Sequence, residues 1–91
     1  MTKEQVINAW IEGKYARTPN GSLSSDSRGN LRSYNLIIGI HTENGFIVGD
    51  FTASGEYYSQ TTSTHVGNAS QVAPVVPVDQ FRTAQAELAW L

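Results

Sequence analysis

The first residues of the chain predict an amphipathic helix. Thr2 and Gln5 give the T-x-x-Q pattern of a capping box, and Gly13 favours termination after about two turns. Apolar residues between them recur at spacings of three and four. The resulting stripe consists of Val6, Ile7, Trp10 and Ile11. Since a helix this short is not stable alone, we expect it to pack against the rest of the chain.

The centre of the chain predicts a β-hairpin. Two β-rich runs, 35–42 and 46–53, flank Asn44-Gly45, which is the strongest short signal for a two-residue turn. Such a turn sets Ile40 opposite Gly49 and makes one face of the hairpin apolar and the other mostly polar. A slip by one residue would destroy that separation.

Further turns extend this hairpin into an antiparallel meander. Gly29-Asn30 folds Ser22–Ser27 back on the long central strand, which places Leu23 opposite Leu36. Pro19-Asn20-Gly21 reverses the chain again and makes 15–18 a short outer strand. On the far side of the hairpin, after Gly55, the run Glu56–Gln60 is predicted to form an edge strand.

The last third of the chain predicts one or two helices. Thr62 and Ser63 are good N-caps for a short helix, Pro74–Pro77 must be extended, and Asp79 caps a terminal helix. Residues 1–91 are therefore expected to form one α+β domain. We expect an antiparallel β-meander of four to five strands, with an N-terminal helix and one or two C-terminal helices packed on one face.

Composition narrows the classes of protein. The chain has no Cys and a net charge of −2, which excludes disulfides and thiolate metal sites and disfavours bulk attraction to nucleic acid or anionic membranes. No apolar run approaches the roughly 18 residues of a membrane span, and none resembles a signal peptide. We therefore expect a cytoplasmic protein with no cofactor, no bound metal and no membrane partner.

The charge is unevenly distributed along the chain. Residues 13–42 carry four cations against one acid, whereas residues 43–91 carry five acids against one cation. Cations and aromatic rings interleave in the basic part, which is typical of surfaces that bind single-stranded nucleic acid and is also found on ordinary solvated strands. The candidate nucleic-acid-binding residues are Lys14, Tyr15, Arg17, Arg28, Arg32 and Tyr34.

Large aromatic residues mark a second candidate surface. Tyr57 and Tyr58 must point to opposite faces of the predicted edge strand, so one of them faces outward, where it favours pairing with a target or with a second copy of the chain. A homodimer through this edge is one expected arrangement. The candidate partner-binding residues are Asp50, Glu56, Tyr57, Tyr58 and Trp90.

Two histidines could carry chemistry. His41 and Asp50 share the polar face of the predicted hairpin, where they would form either a general base with its orienting acid or an ordinary surface contact. His65 follows the hydroxyl-rich run 61–64, which fits an anion site at a helix start and, more simply, a helix cap. No nucleophile lies at a matching position, so we expect no enzyme and assign no catalytic residue.

Three short motifs occur in order along the chain. They are Asn20-Gly21-Ser22-Leu23, then Leu31-Arg32-Ser33-Tyr34 with Ile38-Gly39, then the run from Tyr58 to His65. Together they resemble a group of short phage and prophage proteins of unknown function that carry N-G-x-L, a Ser-Tyr strand and T-T-S-x-H before a helix. This chain departs from that group in having Asn35 where the group has Gly. The resemblance covers roughly residues 14–72 and implies a phage origin, action in the host cytoplasm, and a structural role for Tyr34 and His65.

Size, charge distribution and this resemblance lead to one functional hypothesis. We expect a phage-type accessory or anti-defence protein, similar in class to anti-CRISPR proteins, that inhibits a host protein or nucleoprotein complex by stoichiometric binding. The alternative is a nucleic-acid-binding accessory protein that uses the surface from Lys14 to Tyr34.

Overall fold

The computed structural model describes residues 1–43 and 45–88 and confirms the predicted α+β class. The helices are α1 (Lys3–Ile11), α2 (Gln60–Ala69) and α3 (Val78–Leu88). The strands are β1 (Ala16–Arg17), β2 (Leu23–Ser25), β3 (Leu31–Ser33), β4 (Leu36–Thr42), β5 (Gly45–Gly49) and β6 (Val75–Val76). They form one sheet in the order β1-β2-β3-β4-β5-β6, so the described sheet has six strands rather than four or five. The first five strands are antiparallel, and β6 runs parallel to β5.

Helix α1 begins as the sequence predicts. The Thr2 hydroxyl accepts the backbone N–H of Gln5 at 3.2 Å, and the Gln5 side chain accepts the N–H of Thr2 at 2.8 Å, which completes the capping box. Trp10 lies on the buried face of the helix, and its indole Nε1 donates to the Gly29 carbonyl at 2.7 Å. Helix α1 is thereby fixed to the turn between β2 and β3.

A turn at Tyr34 divides the long central strand that the sequence predicts. Tyr34 has a φ of 55°, in the left-handed region that residues other than Gly seldom adopt. The chain reverses there, and Ser33 pairs with Leu36 across the turn. The predicted pairing of Leu23 with Leu36 is therefore wrong, because Leu23 pairs with Ser33, which lies between them.

The central hairpin keeps its predicted faces but not its predicted register. Ile40 lies opposite Ile47, and Thr42 lies opposite Gly45, where we expected Ile40 opposite Gly49. The register thus differs by two residues, which leaves the paired side chains of residues 39–42 and 45–48 on their predicted faces because the side-chain period of a strand is two. The predicted turn residue Asn44 lies outside the described residues.

Helices cover both faces of the sheet, whereas the sequence led us to place them all on one. An added Cβ at Gly39 would lie 2.8 Å from Trp10 Cζ2, so α1 packs on that face. Gly39 pairs with Val48, and the next residue, Gly49, faces the other way. A Cβ there would lie 3.0 Å from Phe81 Cγ, which places α3 on the opposite face.

The predicted edge strand Glu56–Gln60 is wrong. Residues 56–58 belong to no strand, and Ser59 is the N-cap of α2, its hydroxyl accepting the Thr62 N–H at 3.1 Å. The sheet edge is instead β6, which the Pro74 carbonyl joins to β5 by accepting the Val48 N–H at 3.0 Å. The homodimer expected through Glu56–Gln60 therefore loses the strand on which that expectation rested.

Both C-terminal helices begin earlier than predicted. The predicted cap residues Thr62 and Ser63 lie inside α2, because Ser59 already caps that helix. Likewise, Asp79 lies in the first turn of α3, which begins at Val78.

Candidate interaction surfaces

Tyr57 and Tyr58 lie on an irregular segment that is fixed at both of its ends. The Glu56 N–H donates to the Asp50 carbonyl at 2.9 Å, and the Glu56 carboxylate accepts two hydrogen bonds from Arg82, at 3.0 and 2.8 Å. At the other end, Ser59 caps α2. The two tyrosines between these anchors are 55% and 62% exposed. Both rings therefore face solvent on a backbone that is held in place.

A groove adjoins this tyrosine segment. It has a volume of about 550 Å³ and runs between residues 54–56 and residues 75–79. Asp50, Glu56 and Asp79 give it a negative charge, and Val75 is 39% exposed beside them. The structure thus brings together four of the predicted partner-binding residues, Asp50, Glu56, Tyr57 and Tyr58. The fifth, Trp90, lies outside the described residues.

The predicted contact between His41 and Asp50 is wrong. His41 Nε2 donates to the Trp10 carbonyl at 2.6 Å, and its ring packs edge-on against Phe46 with centroids 4.6 Å apart. Asp50 lies beyond the end of β5 and accepts a short hydrogen bond from the Thr52 hydroxyl. The two-residue change in register moves these side chains apart along the hairpin, so they form no acid–base pair.

His65 belongs to a hydrogen-bonded network of hydroxyl side chains that the sequence did not predict. Its Nδ1 lies 2.7 Å from Ser33 Oγ, which lies 3.0 Å from Thr62 Oγ1, and the Ser59 hydroxyl donates to Thr62 Oγ1 at 3.0 Å. His65, Ser33 and Thr62 are completely buried. This network therefore ties α2 to β3 and leaves only its outermost member, Ser59, partly exposed. The only sequence signal for it was the density of hydroxyl residues before His65.

The histidine itself is incompletely hydrogen-bonded. His65 Nε2 is buried and has no hydrogen-bond partner among the described residues. Burial, assisted by the positive charge of Lys3, lowers the pKa of His65 below its ordinary value of 6.5. The side chain is thus held neutral inside the fold.

The basic residues share the other end of the sheet. Arg17 pairs with Ser24, and Ser24 pairs with Arg32, so the two guanidinium groups extend from one face. Tyr15, 66% exposed, lies just before β1, and Tyr34, 52% exposed, lies just after β3. The remaining candidates are less closely grouped, since Lys14 pairs with Glu12 at 3.4 Å and Arg28 lies in the turn before β3.

Positive and negative charges are separated in space as well as along the chain. The acids of the second half line two grooves beside α3, namely Asp50, Glu56 and Asp79 in the groove described above and Glu43 and Glu87 in another. The cations Arg17 and Arg32 lie on β1 and β3, at the other end of the strand order. The fold therefore has one basic end and one acidic end.

The described residues offer neither a metal-binding cluster nor a membrane-spanning helix. Within residues 1–43 and 45–88, no three His, Asp or Glu side chains converge in a group that could hold a metal ion. No helix in the described part of the chain combines the length and apolar composition that crossing a bilayer requires.

No family model matches the chain, and no curated protein and no solved structure matches it at a significant level.

Proposed function

We propose that this protein is a small accessory protein that acts by stoichiometric binding to a macromolecular partner, a host protein or nucleoprotein complex if the chain is phage-encoded. The observation that carries the proposal is the pair of exposed rings, Tyr57 and Tyr58, on a segment fixed at both ends. Tyrosine is enriched among the residues that dominate binding energy at interfaces. A segment already held in one conformation also loses less entropy when it binds.

The surroundings of the tyrosines support an interface. The adjoining groove offers exposed apolar surface at Val75 and carboxylates at Asp50 and Asp79. Apolar anchors surrounded by polar groups are the usual organisation of a protein–protein interface. The Glu56–Arg82 pair fixes the segment from the side of α3. Inhibition of a defence complex, of the kind anti-CRISPR proteins perform, is one activity that such binding would give.

A co-purification experiment with a matched control tests this proposal. The tagged wild-type protein and the variants Tyr57→Ala/Tyr58→Ala and Val72→Ala are incubated with lysate of the natural host, and bound proteins are quantified by mass spectrometry. Val72 is the control because it is also an exposed apolar side chain but lies in a different groove, beside α1. We expect one partner at a fixed stoichiometry with the wild type and with Val72→Ala, and its loss with the double variant.

Two results contradict the proposal. In one, the wild type recovers no partner at a fixed stoichiometry. In the other, the double variant recovers the partner as well as the wild type does, which would assign binding to another surface. Circular dichroism of each variant checks that the fold is unchanged, as expected because both tyrosine side chains are exposed.

A further inference from the structure

One face of the sheet is only partly covered by helix. On the face opposite α1, helix α3 packs on β4 and β5. The same face of β1, β2 and β3 carries Arg17, Ser24 and Arg32 in one cross-strand row. Arg17 is exposed, and Ser24 and Arg32 are half-buried. We call this row and the neighbouring Tyr15 the basic face.

The register decides which side of the sheet these residues occupy. Ala16 pairs with Ser25, Ser25 with Leu31, and Leu31 with Gly39, whose bare backbone lies against Trp10 of α1. The row that includes Ala16 therefore faces α1. Because side chains alternate along a strand, the neighbouring row of Arg17, Ser24 and Arg32 must face away from α1.

The arginines of the basic face are available to a ligand. Arg17 forms no salt bridge within the described residues, and its Nη2 lies 2.6 Å from the position that a Cβ on Gly21 would occupy, so the missing side chain leaves room for the guanidinium group. Arg32 Nη1 lies 3.5 Å from Asp26 Oδ2, and the Arg32 side chain remains 39% exposed. This single long ion pair leaves most of the Arg32 donors unused.

Asp26 has its main partners elsewhere. Its carboxylate accepts the N–H of Arg28 at 2.8 Å, the N–H of Asn30 at 3.0 Å and the Asn30 side-chain amide at 3.0 Å. Burial alone would raise the pKa of Asp26, but these hydrogen bonds and the charge of Arg32 outweigh it and lower the pKa below 3.8. Asp26 thus mainly stabilises the turn before β3 and offsets only part of the positive charge of Arg17 and Arg32.

Charge and ring chemistry together select the ligand. Two guanidinium groups on β1 and β3, which β2 separates, suit phosphate oxygens, and the exposed tyrosine two residues before Arg17 suits a base, as in proteins that bind single strands by electrostatics and stacking. We propose that the basic face binds single-stranded nucleic acid, with Arg17 and Arg32 contacting phosphates and Tyr15 stacking on a base. This goes beyond the proposed function, since the face shares no residue with the tyrosine segment.

Binding to labelled oligonucleotides across a salt series tests the inference. The probes are fluorescein-labelled 20-nucleotide oligothymidylate and oligouridylate, and the signal is fluorescence anisotropy. We expect dissociation constants of roughly 10⁻⁴–10⁻⁶ M near physiological salt, and tighter binding at about 50 mM salt. Arg17→Gln and Arg32→Gln should each reduce the slope of log K against log salt by about 0.7, the value for one lost phosphate contact on a single strand.

Matched variants separate this binding from general charge effects. Arg82→Gln removes the same charge at the acidic end and should leave the slope unchanged. Tyr15→Phe should bind as the wild type does, whereas Tyr15→Ala should lose roughly tenfold in affinity through the missing stack. Tyr57→Ala/Tyr58→Ala should bind oligonucleotide normally, so this inference and the proposed function can fail independently.

Three results overturn the inference. They are the absence of binding at about 50 mM salt with roughly 200 µM protein, an equal affinity and slope for Arg17→Gln and Arg82→Gln, and binding of polyglutamate as tight as that of the oligonucleotides. The last result would assign the face to an acidic protein. If Arg32→Gln fails to fold because Asp26 loses its ion pair, Arg17→Gln decides the test, since Arg17 has no such partner.

Discussion

Acidification should destabilise the fold through His65. The side chain is completely buried, its Nδ1 is bonded to Ser33, and its Nε2 has no partner among the described residues. Burial and the charge of Lys3 lower its pKa in the folded state. The unfolded chain therefore takes up a proton near pH 6.5, whereas the folded protein does so only at lower pH. The stability contributed by a neutral His65 is present above pH 6.5 and is lost as the pH falls from there towards the lowered folded pKa.

The size of this loss in stability follows from the uptake of one proton by His65 on unfolding. Below pH 6.5, a single histidine that protonates only on unfolding reduces the free energy of unfolding by up to about 1.4 kcal/mol for each pH unit. Between pH 7.5 and pH 5.5, the expected loss is at most about 1.4 kcal/mol in total, because the upper half of this interval lies above the unfolded pKa. In a small domain stabilised by roughly 5–15 kcal/mol, that change is easily resolved.

Urea unfolding followed by circular dichroism measures this change. His65→Asn keeps a polar atom near the position of Nδ1, so Ser33 retains a partner while the titrating group is removed. This variant should be less stable at pH 7.5 than the wild type but should lose little further stability by pH 5.5. His41→Gln is the control, because it keeps a donor for the Trp10 carbonyl and leaves His65 in place. This role of His65 is refuted if the wild type is equally stable at both pH values, or if His65→Asn retains the full pH dependence.

Three substitutions test the packing and the capping by urea unfolding at pH 7.5. Gly39→Ala should cost about 1–3 kcal/mol, because its Cβ would lie 2.8 Å from Trp10 Cζ2 and 3.1 Å from the Leu31 Cβ. Gly67→Ala in α2 should instead stabilise the protein by roughly 0.5–1 kcal/mol, since no atom lies within 4 Å of its Cβ position. Equal effects of Gly39→Ala and Gly67→Ala would contradict the packing of α1 against Gly39. Thr2→Ala should cost about 1 kcal/mol through loss of the capping box, and no change in stability would show that the cap does not form.

Local signals in the sequence were sufficient for α1. Its capping box and its apolar stripe lie within one helix, so the pattern specifies both the start and the buried face. The α+β class was predictable in the same way, because apolar residues recur with a different period along a helix than along a strand. The faces of the central hairpin were also predictable, since they depend only on the alternation of side chains along β4 and β5.

The register of that hairpin could not be predicted from the same alternation. Two registers that differ by two residues place every side chain on the same face. The choice between them depends on where the turn closes and where β5 ends. The chain leaves β5 at Gly49, and the Phe51 N–H bonds back to the Gly49 carbonyl at 2.9 Å. No pattern of apolar residues indicates that β5 ends at Gly49.

Long-range contacts explain the other differences. The turn at Tyr34 has a left-handed backbone conformation although the residue is not glycine, and the Tyr34 N–H donates to the Ser22 carbonyl, just before β2, at 2.8 Å. Strand β6 exists because two valines between prolines meet the free edge of β5. The prolines at 74 and 77 indicated an extended segment but could not indicate its partner.

The candidate surfaces were likewise predictable from the sequence only in part. Sequence alone identified Tyr57 and Tyr58 as anchor residues but predicted an edge strand with one of them facing outward. Both are exposed instead, because they lie on an irregular segment before α2 and not on a strand. It also grouped Arg17 with Arg32, but only the pairing of both residues with Ser24 shows that they share a face. Residue types thus marked the surfaces, whereas strand pairing determined which side chains act together.

Net charge is a poor guide to the partners of this fold. A net charge of −2 disfavours the binding of nucleic acid only if positive and negative charges are mixed evenly over the surface. Here the acids of the second half lie beside α3, while Arg17 and Arg32 lie across β4 and β5 on the far strands. At physiological ionic strength, charges are screened over about 8 Å, which is less than two spacings between neighbouring strands. A phosphate at the basic face therefore experiences the arginines, whose charge Asp26 offsets only in part, much more strongly than the acids beside α3. An acidic protein can thus present a face suited to a polyanion and a separate tyrosine surface suited to a protein.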